Sequence, residues 1–232
     1  MTGPSGDPTV YYDREKVHRN LEAGRHRQLI GGLWDVMGRK QYDYLLAQGL
    51  QPHHRLLDIG CGCFRGGVHF VQYLNPGNYY GIDISQELID VGYEREIEPA
   101  GLAERLPKAN LIAGADFDVS ALGASYDYAL AQSVFTHLPL EAFGVCLRAL
   151  GPWMQPGGIL FATFFEAPHP SRAVNEWVQE PGHFITHPDR DPFHSSPREI
   201  LEAVQGVGGW DPVWVGDWGH PRAQKMLKVV RL

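Results

Sequence analysis

The residues of this 232-residue chain that could do chemistry are densest between Leu56 and Asp83. The run LLDIGCGCFRGG places glycines at 60, 62, 66 and 67 directly after a short apolar stretch and directly before a helical one. Glycine has no side chain to block a ligand and tolerates positive φ, so such a turn lets a bound molecule lie against the backbone. Asp83 closes the next apolar stretch, YYGID, 25 residues after Asp58. A carboxylate at that point can accept both hydroxyls of an adenosine ribose. A dinucleotide fingerprint G-x-G-x-x-G would need glycine at 65, where this chain has Arg65, a bulky cation unsuited to the close helix-to-strand packing of the third glycine. Further along, His137 follows Ser133-Val134-Phe135-Thr136, and a stretch from Glu166 to Ser196 is rich in Pro, His and Asp.

The elements that would position these residues read as an α/β fold. Residues 1–12 are expected to be a mobile tail and residues 13–50 a helical cover, with Ile30, Leu33, Trp34, Met37, Tyr44 and Leu45 at three- and four-residue spacing. Gly31, Gly32 and Gly38 suggest two helical segments with a joint. Short apolar runs then alternate with helical stretches, the pattern of a parallel sheet with crossover helices. Strands are expected at Arg55–Ile59, Tyr79–Asp83, Asn110–Ala113, Tyr126–Ala131 and Gly158–Phe165, with helices at Gly66–Leu74, Ser85–Ile97 and Glu141–Leu150. Residues 51–165 thus form the core of a single domain covering 1–232, and 166–196 a lid insertion. In 197–232, Ser196-Pro197-Arg198-Glu199 has the form of a capping box opening a last helix. Pro212–Trp218 and Gln224–Leu232 leave no room for a helix between them and are expected to pair as an antiparallel hairpin.

Composition narrows the function classes. A net charge of −7 argues against a broad nucleic-acid footprint, and the basic residues between Arg14 and Lys40 are interleaved with Asp13, Glu15, Glu22 and Asp35, as on a solvated helix face. Three cysteines, Cys61, Cys63 and Cys146, fit reduced thiols better than a disulfide framework. The longest apolar stretches fall short of the ~20 residues of a membrane span, and the N-terminus has no signal pattern, so we expect a cytoplasmic protein without membrane contact. His169, His183, His187, Asp189, Asp191 and His194 carry metal-binding side chains at spacings that match no fixed motif, so no metal is expected and the insertion reads as a solvated, histidine-rich lid.

Taken in order, DIGCG, GIDIS, YDYALAQSVFTHL and LGPWMQPGGILFATFFE resemble the motif series of class I S-adenosylmethionine (SAM)-dependent methyltransferases, over about residues 55–165. The resemblance implies a Rossmann-like seven-stranded sheet with a C-terminal antiparallel hairpin, the last strand being inserted antiparallel, and it implies SAM as cofactor. Carried over by position, Asp58, Gly60, Cys61 and Gly62 line the methionine end of SAM. Asp83 with Ile84 meets the ribose, Asp116 and Phe117 hold the adenine, and Gln132 and Ser133 stand beside the sulfonium and the incoming substrate. The chain departs from the pattern at Phe64, where a third glycine is common; Gly66 and Gly67 are expected to do that job two residues later. Arg65 either pairs with the SAM carboxylate or is an exposed arginine.

In-line methyl transfer needs alignment and exclusion of water more than a dedicated side chain. Where the nucleophile is a hydroxyl, a general base helps, and His137 is the leading candidate, ahead of His183, His187, His194 and Glu166; the other reading of His137 is a brace for the following helix. Aromatic residues of the N-terminal helices and the insertion, among them Trp34, Tyr42, Phe165, Trp177 and Phe184, suit an apolar small-molecule acceptor, although for Trp34 and Tyr42 the buried face of a helix is the preferred reading. The implied activity is O- or N-methylation of such a molecule. The alternatives are a protein or RNA methyltransferase and a protein of the same fold that binds SAM without transferring methyl.

Overall fold

The computed structural model describes residues 13–167 and 176–232. The N-terminal tail, with Tyr11 and Tyr12, and the part of the insertion that contains His169 lie outside the described residues. By its internal contacts the chain divides within its fourth strand into two units, Arg14–Ala129 and Leu130–Leu232, with Asp13 grouped with the second; each is taken by itself below.

The first unit opens with three helices, α1 (Arg14–Glu22), α2 (His26–Leu29) and α3 (Trp34–Ala47). The expected joint falls at 30–33, where Gly31 (φ 90), Gly32 (φ 60) and Leu33 (φ 49) are all left-handed. Gly38 does not break α3; it lets that helix press on the backbone carbonyl of Arg65. The strands β1 (Leu56–Ile59), β2 (Tyr79–Asp83) and β3 (Leu111–Ala113) are parallel neighbours, with Leu56 opposite Tyr79 and Gly81 opposite Leu111. All four residues of β1 are buried, as expected of a parallel strand covered on both faces. Helix α4 (Gly67–Tyr73) follows β1, and α5 (Gln86–Gly92) follows β2, its last turn widening to a π-helix over Tyr93–Ile97. The strand β4 (Tyr126–Ala131) ends this unit and begins the next.

The second unit holds α6 (Leu140–Leu150), β5 (Met154–Glu166), a small hairpin of β6 (Trp177–Gln179) and β7 (Phe184–Thr186), the two-residue β8 (His194–Ser195), α7 (Pro197–Val207), β9 (Trp210–Asp217) and β10 (Lys225–Arg231). The capping box at Ser196 and Glu199 is formed in both directions. As the resemblance implied, β10 runs antiparallel to both its neighbours, β5 (Leu227 opposite Ala162) and β9 (Leu227 opposite Trp214). The strand order is β3-β2-β1-β4-β5-β10-β9, with β8 added on β5. This is the expected Rossmann-like α/β sheet of seven strands, enlarged by one short strand from the insertion.

The insertion departs from a solvated loop. His194 is buried and the His187 side chain is only 12% exposed. Thr186 Oγ1 lies 2.8 Å from His194 Nδ1, Gln179 Nε2 donates to Thr186 Oγ1 at 3.0 Å and to the Glu166 carbonyl at 3.1 Å, and the Phe184 ring packs on Phe165 with centroids 4.8 Å apart. Strands of three residues are too short for alternation to be visible in the sequence, and their buried polar groups find partners across the hairpin and on the neighbouring strands β5 and β8.

Candidate functional site

In the first unit, the parallel register of β1 and β2 puts the turns that follow them next to each other. Gly60 (φ 71) and Gly62 (φ 50) are both left-handed, and the amides of Gly60 and Cys61 donate to the Ile82 carbonyl at 2.7 and 3.2 Å, folding the turn back over the end of β2. Asp83 locks this shape. Its Oδ2 accepts from the Gly62 amide at 2.8 Å and its Oδ1 from the Ser85 amide at 2.9 Å. Burial pushes this carboxyl above its ordinary range, and the amides of Ser85, Gly62 and Ile84 pull it back. A carboxylate has about four acceptor positions, so these amides do not exhaust Asp83, and it retains capacity for a hydroxyl of a ligand. Ser85 also caps α5 through Oγ, which accepts from the Leu88 amide.

Asp58 sits deeper, 6% exposed, and accepts a 2.7 Å hydrogen bond from the Tyr79 hydroxyl. Burial pushes its carboxyl up to about 7, with the charge of Asp83 adding to the rise and Tyr79 and Arg65 opposing it. Cys61 turns its side chain inward against Gly81, where a Cβ would lie 2.9 Å from the sulfur, and burial raises its thiol pKa well above the ordinary value; only its backbone is left to meet a ligand. At the end of β3, Asp116 is exposed and its Oδ1 accepts from the Asp118 amide at 3.2 Å, while Phe117 is buried in a left-handed conformation (φ 62). The carboxyl ends of β1, β2 and β3 therefore collect Asp58, Gly60, Cys61, Gly62, Asp83, Ile84, Asp116 and Phe117 in one unit.

One expectation for this turn is corrected. Phe64 itself adopts the left-handed conformation (φ 65) that favours glycine and is fully buried; Gly66 and Gly67 do not replace it. Gly66 makes room for Gln41 of α3, and a Cβ on Gly67 would lie 2.7 Å from the Tyr79 hydroxyl and 2.9 Å from Phe64 Cβ. Arg65, expected either on a cofactor carboxylate or in solvent, is half-buried and donates from Nη1 to the carbonyls of Ile30 and Gly32 at 3.1 and 3.0 Å. It ties the α2–α3 joint to the glycine turn, and Ile30 lies close enough that a Cβ on Gly62 would sit 3.3 Å from it. A second tie is buried Glu96, which accepts from Arg27 through two bonds of 2.7 Å and lies 2.6 Å from His26 Nε2.

In the second unit, Gln132 and Ser133 directly follow β4 and enter a buried polar knot. Ser133 is left-handed (φ 60), and its amide donates to Thr163 Oγ1 at 2.8 Å. The Gln224 Oε1 accepts from Gln132 Nε2, Ser133 Oγ and Thr163 Oγ1 at 3.0, 2.9 and 2.8 Å, and His220 Nε2 lies 3.2 Å from Gln132 Nε2. Reading along the sequence did not single out Thr163, His220 or Gln224; a threonine inside the apolar run GILFATFF was the one local sign. His137 Nδ1 lies 2.7 Å from Asp191 Oδ1, so the structure pairs the candidate base with a residue the sequence offered only as a possible metal ligand. Two other described histidines of the insertion lie beside carboxylates of their own, His187 by Glu176 at 3.6 Å and His183 by Glu180 at 2.8 Å. Among the described residues no three metal-binding side chains converge.

Residues 57–160 match the profile of a family described as a methyltransferase domain. An uncharacterized protein of Rickettsia prowazekii is 25% identical over 114 residues, 49% of this chain and 44% of that one, so the match spans less than half of the relative's length. Magnesium protoporphyrin IX methyltransferase of Synechocystis PCC 6803, solved with bound SAM, superposes with a TM-score of 0.63 at 17% identity over 100% of both chains. The 1,6-didemethyltoxoflavin N1-methyltransferase of Burkholderia thailandensis, solved with 1,6-didemethyltoxoflavin and S-adenosylhomocysteine, gives 0.63 at 16% over 100% of this chain and 92% of that one. An amino pentose methyltransferase of calicheamicin biosynthesis from Micromonospora echinaspora, with bound SAM, gives 0.59 at 16% over 93% and 97%. At such identities the superpositions establish a common fold.

Proposed function

We propose that the chain, whose residues 57–160 match the methyltransferase-domain family and which has the class I fold, binds SAM on the Gly60–Gly62 turn and transfers the methyl group to a small-molecule acceptor. The observation that carries this reading is Asp83, a buried carboxylate that braces the glycine turn through Gly62 and the next helix through Ser85 and still has acceptor capacity for a ribose hydroxyl. The turn suits an adenosine-linked ligand because Gly60 and Gly62, both left-handed, put no side chain over their backbone. SAM supplies an electrophilic methyl on a sulfonium. The chain's own part is to hold the ribose through Asp83, seat the adenine by Asp116 and Phe117, and receive a proton at His137 when the acceptor has one to lose. The structural neighbours named for a porphyrin, a toxoflavin precursor and an amino pentose support a small molecule as acceptor. Three buried, unpaired thiols accord with the cytoplasmic location we assign.

Calorimetric titration of the full chain with SAM and with S-adenosylhomocysteine tests the cofactor assignment. We expect saturable binding at one site, weakened by about 1.5–3 kcal/mol in Asp83→Ala, the range for a hydrogen bond to a charged group. Unchanged affinity in that variant would remove the ribose assignment, and sustained binding with no transfer of labelled methyl to any acceptor would favour a binding protein over an enzyme.

A further inference from the structure

The two glycines of the turn after β1 meet different surroundings. Gly60 is exposed, whereas Gly62 is buried. Part of the cover over Gly62 comes from the α2–α3 joint: a Cβ built on Gly62 would meet Ile30 Cγ2 at 3.3 Å and Asp83 Oδ2 at 4.0 Å. Ile30 therefore lies on the face of Gly62 that also borders Asp83, and Gly60 is left as the open part of the turn. The joint needs support to rest there. Gly31, Gly32 and Leu33 are left-handed in succession (φ 90, 60 and 49), and Leu33 lacks glycine's freedom. Such a backbone persists only where its surroundings over-determine it. Ile30 is the C-cap of α2, where carbonyls lack intrahelical donors, and Arg65 Nη1 supplies a donor to Ile30 and Gly32 together. The Arg65 carbonyl in turn faces Gly38 of α3, where a Cβ would collide with it. The opening of α2 is fastened separately, by His26 and Arg27 on Glu96. All of these residues belong to the first unit.

We propose that Arg65 is a positioning residue of the cofactor site, latching the α2–α3 joint over Gly62 so that the turn and Asp83 stand preformed for an adenosine-linked ligand that meets Gly60; this rests on the cofactor reading above. Its contribution is preorganisation: a ligand that finds the turn already shaped does not spend binding energy on ordering it. A ligand that binds only the latched form has its affinity reduced by the fraction of chains that are latched. Loss of the two bonds that leaves about a tenth of the chains latched would therefore weaken binding ~10-fold. In the competing arrangement Arg65 leaves both carbonyls to pair with the amino-acid carboxylate of the cofactor. The two differ in what they require of the ligand. A carboxylate partner matters only to ligands that carry a carboxylate, whereas a latch on the turn matters to every ligand that uses the turn and Asp83.

The test titrates the full chain with S-adenosylhomocysteine, which carries the carboxylate, and with 5′-methylthioadenosine, which keeps the ribose and adenine but lacks it. Arg65→Met, which retains the half-buried stem and removes the donors, is expected to weaken both ligands by a similar factor, ~10-fold. Arg65→Lys should recover most of the affinity, because one nitrogen makes both native bonds and an ammonium can do the same. Hydrogen exchange of the Gly62 amide, which is bonded to Asp83, should quicken in Arg65→Met while the amides of β1 stay protected. In the wild type saturated with S-adenosylhomocysteine, the Ile30 γ2 methyl should keep a nuclear Overhauser contact with the Gly62 α protons, a readout that needs no variant. Weakening of S-adenosylhomocysteine alone would overturn the inference and assign Arg65 to the carboxylate. Unchanged affinity for both ligands in Arg65→Met, or loss of the Ile30 contact on binding, would also overturn it, and each of these results leaves the cofactor reading standing. Failure of SAM and S-adenosylhomocysteine to bind the wild type would instead remove the reading beneath it.

Discussion

Asp58→Asn tests whether the buried end of β1 is under electrostatic load. Asp58 is 6% exposed, between Leu57 and Ile59, and its carboxyl is pushed up to about 7, chiefly by burial. In the unfolded chain a carboxyl titrates near ~4. The folded state therefore holds this proton more tightly than the unfolded state does, and stability without cofactor falls as pH rises from about 4 to about 7, then levels off. The span of about three units corresponds to about 4 kcal/mol at 1.36 kcal/mol per unit. Asparagine removes that load while its amide oxygen still accepts from Tyr79, but its NH2 group enters a buried site without an assigned acceptor, at a cost of about 1–3 kcal/mol. The expected net gain at pH 8 is about 1–3 kcal/mol, and at pH 4.5, where the wild-type carboxyl is protonated in the folded state, the variant should be no more stable than the wild type. Urea unfolding of the cofactor-free chain at the two pH values measures both. An equal effect of the substitution at pH 4.5 and pH 8 would refute the reasoning, because burial of the charge would then not be what limits stability at this site.

Four other outcomes follow from the same geometry. Gly92→Ala should destabilise the fold by about 1–3 kcal/mol in urea unfolding despite alanine's helix propensity, because its Cβ would lie 2.5 Å from the Cα of Cys63. Phe64→Gly relieves a left-handed φ but empties a fully buried aromatic site, so a net loss of about 2–4 kcal/mol is expected by thermal or urea melting. Burial pushes the Glu96 carboxyl up, yet the bonds from Arg27 and His26 outweigh it and hold the carboxyl below its ordinary value. Its contribution is thus present above about pH 4.3 and lost as pH falls through the lower folded value, so Glu96→Gln should cost about 1–3 kcal/mol at pH 7 and less near pH 3, read from denaturant melts. Ser196→Ala should cost about 1 kcal/mol by removing the cap of α7.

What the sequence determined was local in origin. The β2 and β4 boundaries, the capping box at Ser196 and the two apolar stretches that pair as β9 and β10 could be read because each depends on alternation, turn chemistry or capping within a few residues. The pairing of the glycine turn with Asp83 was legible for the same reason: Gly60, Gly62 and Asp83 lie at the ends of consecutive strands of one βαβ unit, where the parallel register leaves them no other place to meet. Only the tertiary structure decided the rest. Arg65 finds the carbonyls of Ile30 and Gly32, more than thirty positions earlier, Gln224 joins Gln132 across 92 positions, and Asp191 reaches His137 across 54. These partners are chosen by which buried polar groups are left to be satisfied once the chain has packed, and no spacing along the sequence encodes that remainder. Phe64 shows the same division: a missing glycine can be seen in the sequence, but that a phenylalanine takes the left-handed turn in its place follows from the cavity beside Tyr79, Gly67 and Gly92 that receives its ring.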